Sequence, residues 1–177
     1  MNMNSLAVPE TILFDFQDPT NSPAWQTLND DVMGGVSTSR FEIRANGSAV
    51  FTGAVSLDYN GGFASVRSTP IWHKLDGLDT FVLHVRGDGR RYKFTARTQT
   101  GVNAPLYQRG FVTRRGAWEE HRLAFADFVP TFRGRKLEDV PPLSPSHVAS
   151  VGFLIADHQE GPFQLEISWA KAVLSTV

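Results

Sequence analysis

Phe163-Gln164-Leu165-Glu166-Ile167-Ser168-Trp169 alternates large apolar and polar side chains without a break. Side chains of a β-strand point to opposite faces with period two, so this stretch is predicted to be a strand with one face in a core and the other in water. The pattern recurs upstream. Phe81, Leu83 and Val85 alternate with Val82, His84 and Arg86, and Tyr92, Phe94 and Ala96 alternate with Lys93, Thr95 and Arg97. Phe81, Leu83, Val85, Phe94, Phe163, Leu165 and Ile167 are therefore expected to point inward, with Trp169 in the same core-facing set. Ala170, Ala172, Val173 and Leu174 prolong the last strand, and Thr11 to Phe16 reads as a first one. Chain termini of a domain often lie close together, so these two strands are expected to be neighbours.

Gly and Pro together number 25, and they fall between short apolar runs. Long helical periodicity is missing; Leu123 to Val129, with Phe125 and Phe128 three apart, is the one place for a short helical turn. Gly87-Asp88-Gly89 and Asn60-Gly61-Gly62 read as hairpin turns. Many short strands with Gly-rich turns argue for an all-β sandwich or barrel.

The 177 residues suit one domain, read as a flexible N-terminus over 1–10 and a β-sandwich over 11–177. With no cysteine, disulfides, thiolate zinc sites and cysteine nucleophiles are excluded. Met1 to Glu10 carries no basic leader and no apolar run, and nothing approaches a membrane span, so a cytoplasmic protein is expected. The net charge of −1 is unevenly placed: residues 1–66 hold seven acidic and two basic side chains, residues 86–136 four acidic and twelve basic. Phe132-Arg133-Gly134-Arg135-Lys136 is basic with an aromatic beside it, yet a solvated loop accounts for it, and nucleic acid is not an expected partner.

The candidate site lies in loops. Asn29, Asp30, Asp31, Met33, Gly34, Gly35 and Ser37 put closely spaced oxygens beside two glycines. Half of a cation site would look like this, but the spacing and glutamate of an EF-hand are missing, and an Asx-turn network explains the same residues. No metal, cofactor or catalytic residue is expected. Asn60, Gly61, Gly62 and Phe63 lead into strand-like alternation, not the helix that a phosphate cradle needs. Arg67 shares a strand face with Phe63 and Ser65, either in a buried ion pair or at the base of a polar pocket. Arg86, Asp88 and Arg90 flank the Gly-Asp-Gly turn; Asp157 and Gln159 sit in a polar loop before the last strand. Binding residues concentrate on loops held by a rigid scaffold. At least two of these loops are expected to meet at one end of the sandwich, with Asp31, Arg67, Arg86 and Asp88 clustered there.

Taken together, Asn29 to Ser37, Phe51-Thr52-Gly53, Asn60 to Arg67, Arg86 to Tyr92, Phe132-Arg133-Gly134, Gly152 to Ile155 and Gly161-Pro162-Phe163 resemble the complex I intermediate-associated protein 30 family. The similarity runs from about Leu13 to Ala172. It implies a galactose-binding-like jelly-roll β-sandwich and a non-enzymatic assembly factor. Such a factor binds protein subunits of a respiratory complex I or photosynthetic membrane complex. The family supplies no catalytic residues to carry over. The chain departs from the mitochondrial form in having no transit peptide, which suggests a bacterial-type, stand-alone domain. The other function the fold permits is a carbohydrate-binding module with a sugar ligand, for which Trp25, Trp72, Trp118 and Trp169 are the aromatic candidates.

Overall fold

The alternating stretches are all strands in the computed structural model, which describes residues 7–18, 20 and 22–175, with the side chains of Val32 and Met33 outside that description. One sheet runs β3 (Thr38–Ile43), β4 (Ala49–Val55), β13 (Gly161–Val173), β6 (Thr80–Arg86) and β9 (Trp118–Ala124), with β1 (Glu10–Asp15) also paired to β13. The other runs β11 (Arg135–Lys136), β10 (Val129–Phe132), β8 (Leu106–Val112), β7 (Arg91–Arg97), β12 (Ser150–Ile155), β5 (Ala64–Ser68) and β2 (Trp25–Asn29). Every named strand pair is antiparallel. The central strands β4-β13-β6-β9 and β5-β12-β7-β8 belong to opposite layers, and the chain passes repeatedly between them. This is the connectivity of a jelly roll. No α-helix occurs among the described residues.

The core lies between the layers. Phe81, Leu83, Val85, Phe94, Phe163, Leu165 and Ile167 are all buried, as their spacing requires. Phe81 sits 5.1 Å from Phe94 and 4.5 Å from Phe125, ring centre to ring centre. Burying a side chain of this size contributes roughly 1.5–3 kcal/mol. The helical turn expected near Leu123 is a single 3-10 turn, Phe125–Asp127, that drives Phe125 inward. β1 begins at Glu10, opposite Val173, so the terminal strands are neighbours. Residues 1–6, within the segment read as a flexible terminus, lie outside the described residues.

Three expectations need correction. Gly87-Asp88-Gly89 is not a hairpin: β6 and β7 lie in different sheets, and the turn carries the chain across. The Asn60-Gly61-Gly62 turn likewise takes the chain from β4 in one sheet to β5 in the other. Trp169 is not in the core. Ile167 faces Val85 and Trp169 faces His84, so Ser168 is an extra residue in β13, a bulge that reverses the alternation. Trp169 thereby turns to the outer face and stacks 5.3 Å from His84, while Ala170 and Ala172 take over the inward positions.

Candidate functional site

Asn29, Ala64 and Ile155 share one row of the seven-stranded sheet, and Val55 and Gly161 pair at the matching end of the other. The crossings β2 to β3, β4 to β5, β6 to β7 and β12 to β13 therefore gather at one end of the sandwich. These are the four loops singled out by sequence.

Asp30 organises the first two. It is wholly buried, and its carboxylate accepts hydrogen bonds from the Ser37 backbone N–H (2.9 Å), the Ser37 hydroxyl, Gly62 N–H (2.7 Å) and Phe63 N–H (3.4 Å). Burial acts to raise its pKa, but the bonds from Ser37, Gly62 and Phe63 outweigh it and hold the carboxyl below its ordinary value. The neighbouring glycines follow from this clasp. A Cβ on Gly35 would lie 2.4 Å from Asp30 Cγ, and one on Gly61 2.6 Å from Asp30 Oδ2. Gly34 is needed for a different reason: its φ of +88° is left-handed backbone at the end of the 3-10 turn Asp30–Met33. Asn29 accepts from Ser39 at 2.6 Å, whereas Asp31 and Asn60 are exposed. Among the described residues no group of three or more His, Asp or Glu is placed to hold a metal.

Asp88 and Arg90 tie the third loop to the fourth. Asp88 accepts from the Tyr92 hydroxyl (3.1 Å), Arg90 N–H (3.1 Å) and Gln164 N–H (2.8 Å). Burial first, then the Asp88 charge, pushes the Tyr92 phenol up, so it stays a neutral donor. Arg90 donates to the carbonyls of Gln159 (2.8 Å) and Glu160 (3.1 Å), Gln159 exchanges two side-chain bonds with the Arg91 backbone, and Asp157 pairs with Lys93 at 3.1 Å. The polar groups of these loops largely satisfy one another.

The expected foursome of Asp31, Arg67, Arg86 and Asp88 is not assembled. Arg86 lies on the outer face of the six-stranded sheet, bonded through Nε (3.0 Å) and Nη2 to Glu166, a buried carboxylate that also accepts from Ser48 at 2.8 Å. A cleft of about 400 Å³ opens beside this pair, lined by His84, Trp118, Ser48 and Ser168 among others. His84 stacks between Trp118 (4.9 Å) and Trp169, and the Arg86 guanidinium lies 5.1 Å from the Trp118 ring. Arg67 stands on the opposite sheet, its outer face shared with Arg97. Sequence reasoning left out Ser48, Glu166 and Arg97. Glu166 and Arg97 were read only as wet-face strand residues, and their partners depend on strand register.

The family model for "Complex I intermediate-associated protein 30 (CIA30)" matches residues 14–167. The mitochondrial complex I intermediate-associated protein 30 of Drosophila melanogaster is 27% identical over 180 residues, covering 89% of this chain and 61% of the relative. That of Mus musculus is 26% identical over 178 residues, covering 89% and 54%. The chain thus spans little more than half the length of these two relatives. Solved structures share the architecture. A family 11 carbohydrate-binding module from Clostridium thermocellum, in complex with a β-1,3-1,4-mixed-linked tetrasaccharide, superposes with TM-score 0.70 at 15% identity, covering 96% of this chain and 98% of that one. The family 30 carbohydrate-binding module of a cellulosomal cellulase from the same organism gives TM-score 0.60 at 13% identity, with 96% and 100% covered. At such identities the likeness is one of fold, the galactose-binding-like β-sandwich. Among the described residues no helix is long and apolar enough to cross a membrane. With the family model matching most of its length, the chain belongs to the complex I intermediate-associated protein 30 family.

Proposed function

We propose that this chain is a non-catalytic assembly factor that works by binding protein subunits of a membrane complex under construction, of the respiratory complex I type or its photosynthetic counterpart. The observation that carries the reading is the family match over residues 14–167. The loop geometry suits it, because Asp30, Asp88 and Arg90 are taken up in holding loops together. A rigid platform of this kind suits recognition. The relatives are named as mitochondrial. Cross-linked affinity capture from the native host, resolved by native electrophoresis and mass spectrometry, tests the function. Enrichment of subunits in sub-assemblies lighter than the finished complex supports it. Capture no different from that by an unfolded Leu165 variant refutes it.

Saccharide binding is a second reading with one observation behind it. The cleft beside Trp118, His84, Arg86 and Glu166 combines an aromatic wall with fixed polar groups. Calorimetry with soluble β-glucans and with Trp118→Ala tests it; heats that the substitution leaves unaltered refute it.

A further inference from the structure

Arg67 and Arg97 flank β12 on the outer face of the seven-stranded sheet. Arg67 is opposite Gly152 and Arg97 opposite Ser150, so only small side chains separate them. Both residues are half-buried. Neither has a carboxylate within 4.0 Å among the described residues. Arg97 Nε is buried and makes no hydrogen bond, and among the described residues the side chain's one bond runs from Nη1 to the Gly101 carbonyl at a long 3.5 Å. Burial, then the nearby charge of Arg67, lowers the Arg97 pKa below the usual guanidinium value.

The other half-buried arginines in this fold are treated differently. Arg86 is bonded to Glu166, and Arg90 to two carbonyls. Taking a cation partly out of water is unfavourable unless it is paired, and a second cation beside it adds repulsion. Packing alone gives no reason to keep two such groups, since a polar uncharged residue would serve a wet strand face. Their surroundings suit a protein ligand. Gln26, Thr95 and Gln108 lie in the same cross-strand row as Arg67 and Gly152. Trp72 is 54% exposed on the segment whose Ile71 N–H bonds the Ala149 carbonyl, and Ala149 N–H in turn bonds the Arg97 carbonyl. Arg and Trp are the residue types that concentrate binding energy at protein contacts. A guanidinium fork matches a carboxylate bidentately. Phosphate cradles rely on free backbone N–H groups of a turn, whereas the backbone here lies within the strand ladder.

We propose that Arg67 and Arg97 form an anion-recognition point on this face that takes the carboxylates of an acidic segment of a partner protein. The proposal rests on the assembly-factor reading and names the chemistry of the partner.

The test uses the full chain and a fluorescent peptide of alternating Glu and Ser, followed by anisotropy at low and at physiological ionic strength. Wild type binds the peptide, more weakly as salt rises. Arg67→Gln/Arg97→Gln weakens binding at least about ten-fold without lowering the melting temperature. Arg67→Lys/Arg97→Lys, which keeps the charge and loses the fork, falls between the two. Arg122→Gln, exposed on β9 of the opposite sheet, binds as wild type. Equal affinity in wild type and the double Gln variant overturns the proposal. So does a wild type that ignores the peptide, or one in which inorganic phosphate saturates the site and the peptide does not compete. The two readings fail separately. If wild type and the double Gln variant capture the same complex subunits equally, the anion site falls and the assembly reading stands. If wild type captures none, the assembly reading falls, while the peptide measurement still reports on the arginines.

Discussion

Replacing Asp30 by Asn tests the central claim about the loop end, that a buried carboxylate and not a cation holds it together. Asn is the same size and keeps one oxygen, which still serves the Ser37 N–H. The new NH2 group stands where Oδ2 received Gly62 N–H at 2.7 Å and Phe63 N–H at 3.4 Å. The Ser37 hydroxyl can rotate and accept; the two backbone donors cannot. A buried donor stripped of its acceptor costs about 1–3 kcal/mol, and the Phe63 bond is long, so the expected loss is about 3 kcal/mol. For a domain of this size that lowers the melting temperature by roughly 6–12 °C. The pH dependence adds a second signature. Because the folded Asp30 carboxyl is held low, its contribution is fully present above the unfolded value of about 3.9 and disappears as pH falls through the folded one. The gap between wild type and Asp30→Asn should therefore narrow in acid. Thermal melts from neutral pH down to the limit of folding measure both effects. A shift under about 2 °C at neutral pH, or a gap that widens in acid, would refute the reasoning.

Leu165→Ala should cost about 2–5 kcal/mol and Trp169→Ala only about 1 kcal/mol, because the bulge at Ser168 puts the tryptophan outside; denaturant titration showing equal losses would contradict the bulge. Arg86→Ala should destabilise by about 1–3 kcal/mol by leaving the Glu166 carboxylate buried without its cation, and Glu166→Gln in the same chain should recover part of that in the same titration. Gly35→Ala should be harsher than Gly34→Ala: the first collides with a clamped Asp30, while the second meets open space and incurs only about 1–2 kcal/mol of left-handed strain. Chelator treatment should leave the circular dichroism spectrum and the melt unaltered, since the Asp30 oxygens are occupied by N–H and O–H donors.

The core was legible because period-two alternation is a local property: Phe81 to Val85 and Phe163 to Ile167 carry their own orientation. What was not legible depends on register and layer. A Gly-Asp-Gly stretch announces a change of direction, but whether the next strand pairs with the last or crosses to the other sheet is decided by β12 and β13, far away in sequence. The extra Ser168 looks like any other polar position until the partner strand is known. Asp30 and Asp31 are interchangeable on paper; the 3-10 turn buries one and exposes the other. The gathering of the four loops was foreseen, whereas the charges were assigned to the wrong meeting place. Arg86 finds Glu166 on an outer face, and Arg67 stands near Arg97 across a strand.

β13 has a further consequence. Its thirteen residues lie between β4 and β6 and also hold β1, so the six-stranded sheet has no middle until residues 161–173 arrive. A ribosome emits the chain from the N-terminus, and for most of synthesis β4 and β6 hang with unmatched edges that must wait for residues 161–173. Pairings that span so much sequence form slowly, and open strand edges invite mispairing. A message truncated anywhere before Gly161 therefore lacks the strand that joins β4 to β6 and leaves their edges open to mispairing. Completion of the last strand is the event that commits the whole domain to its fold.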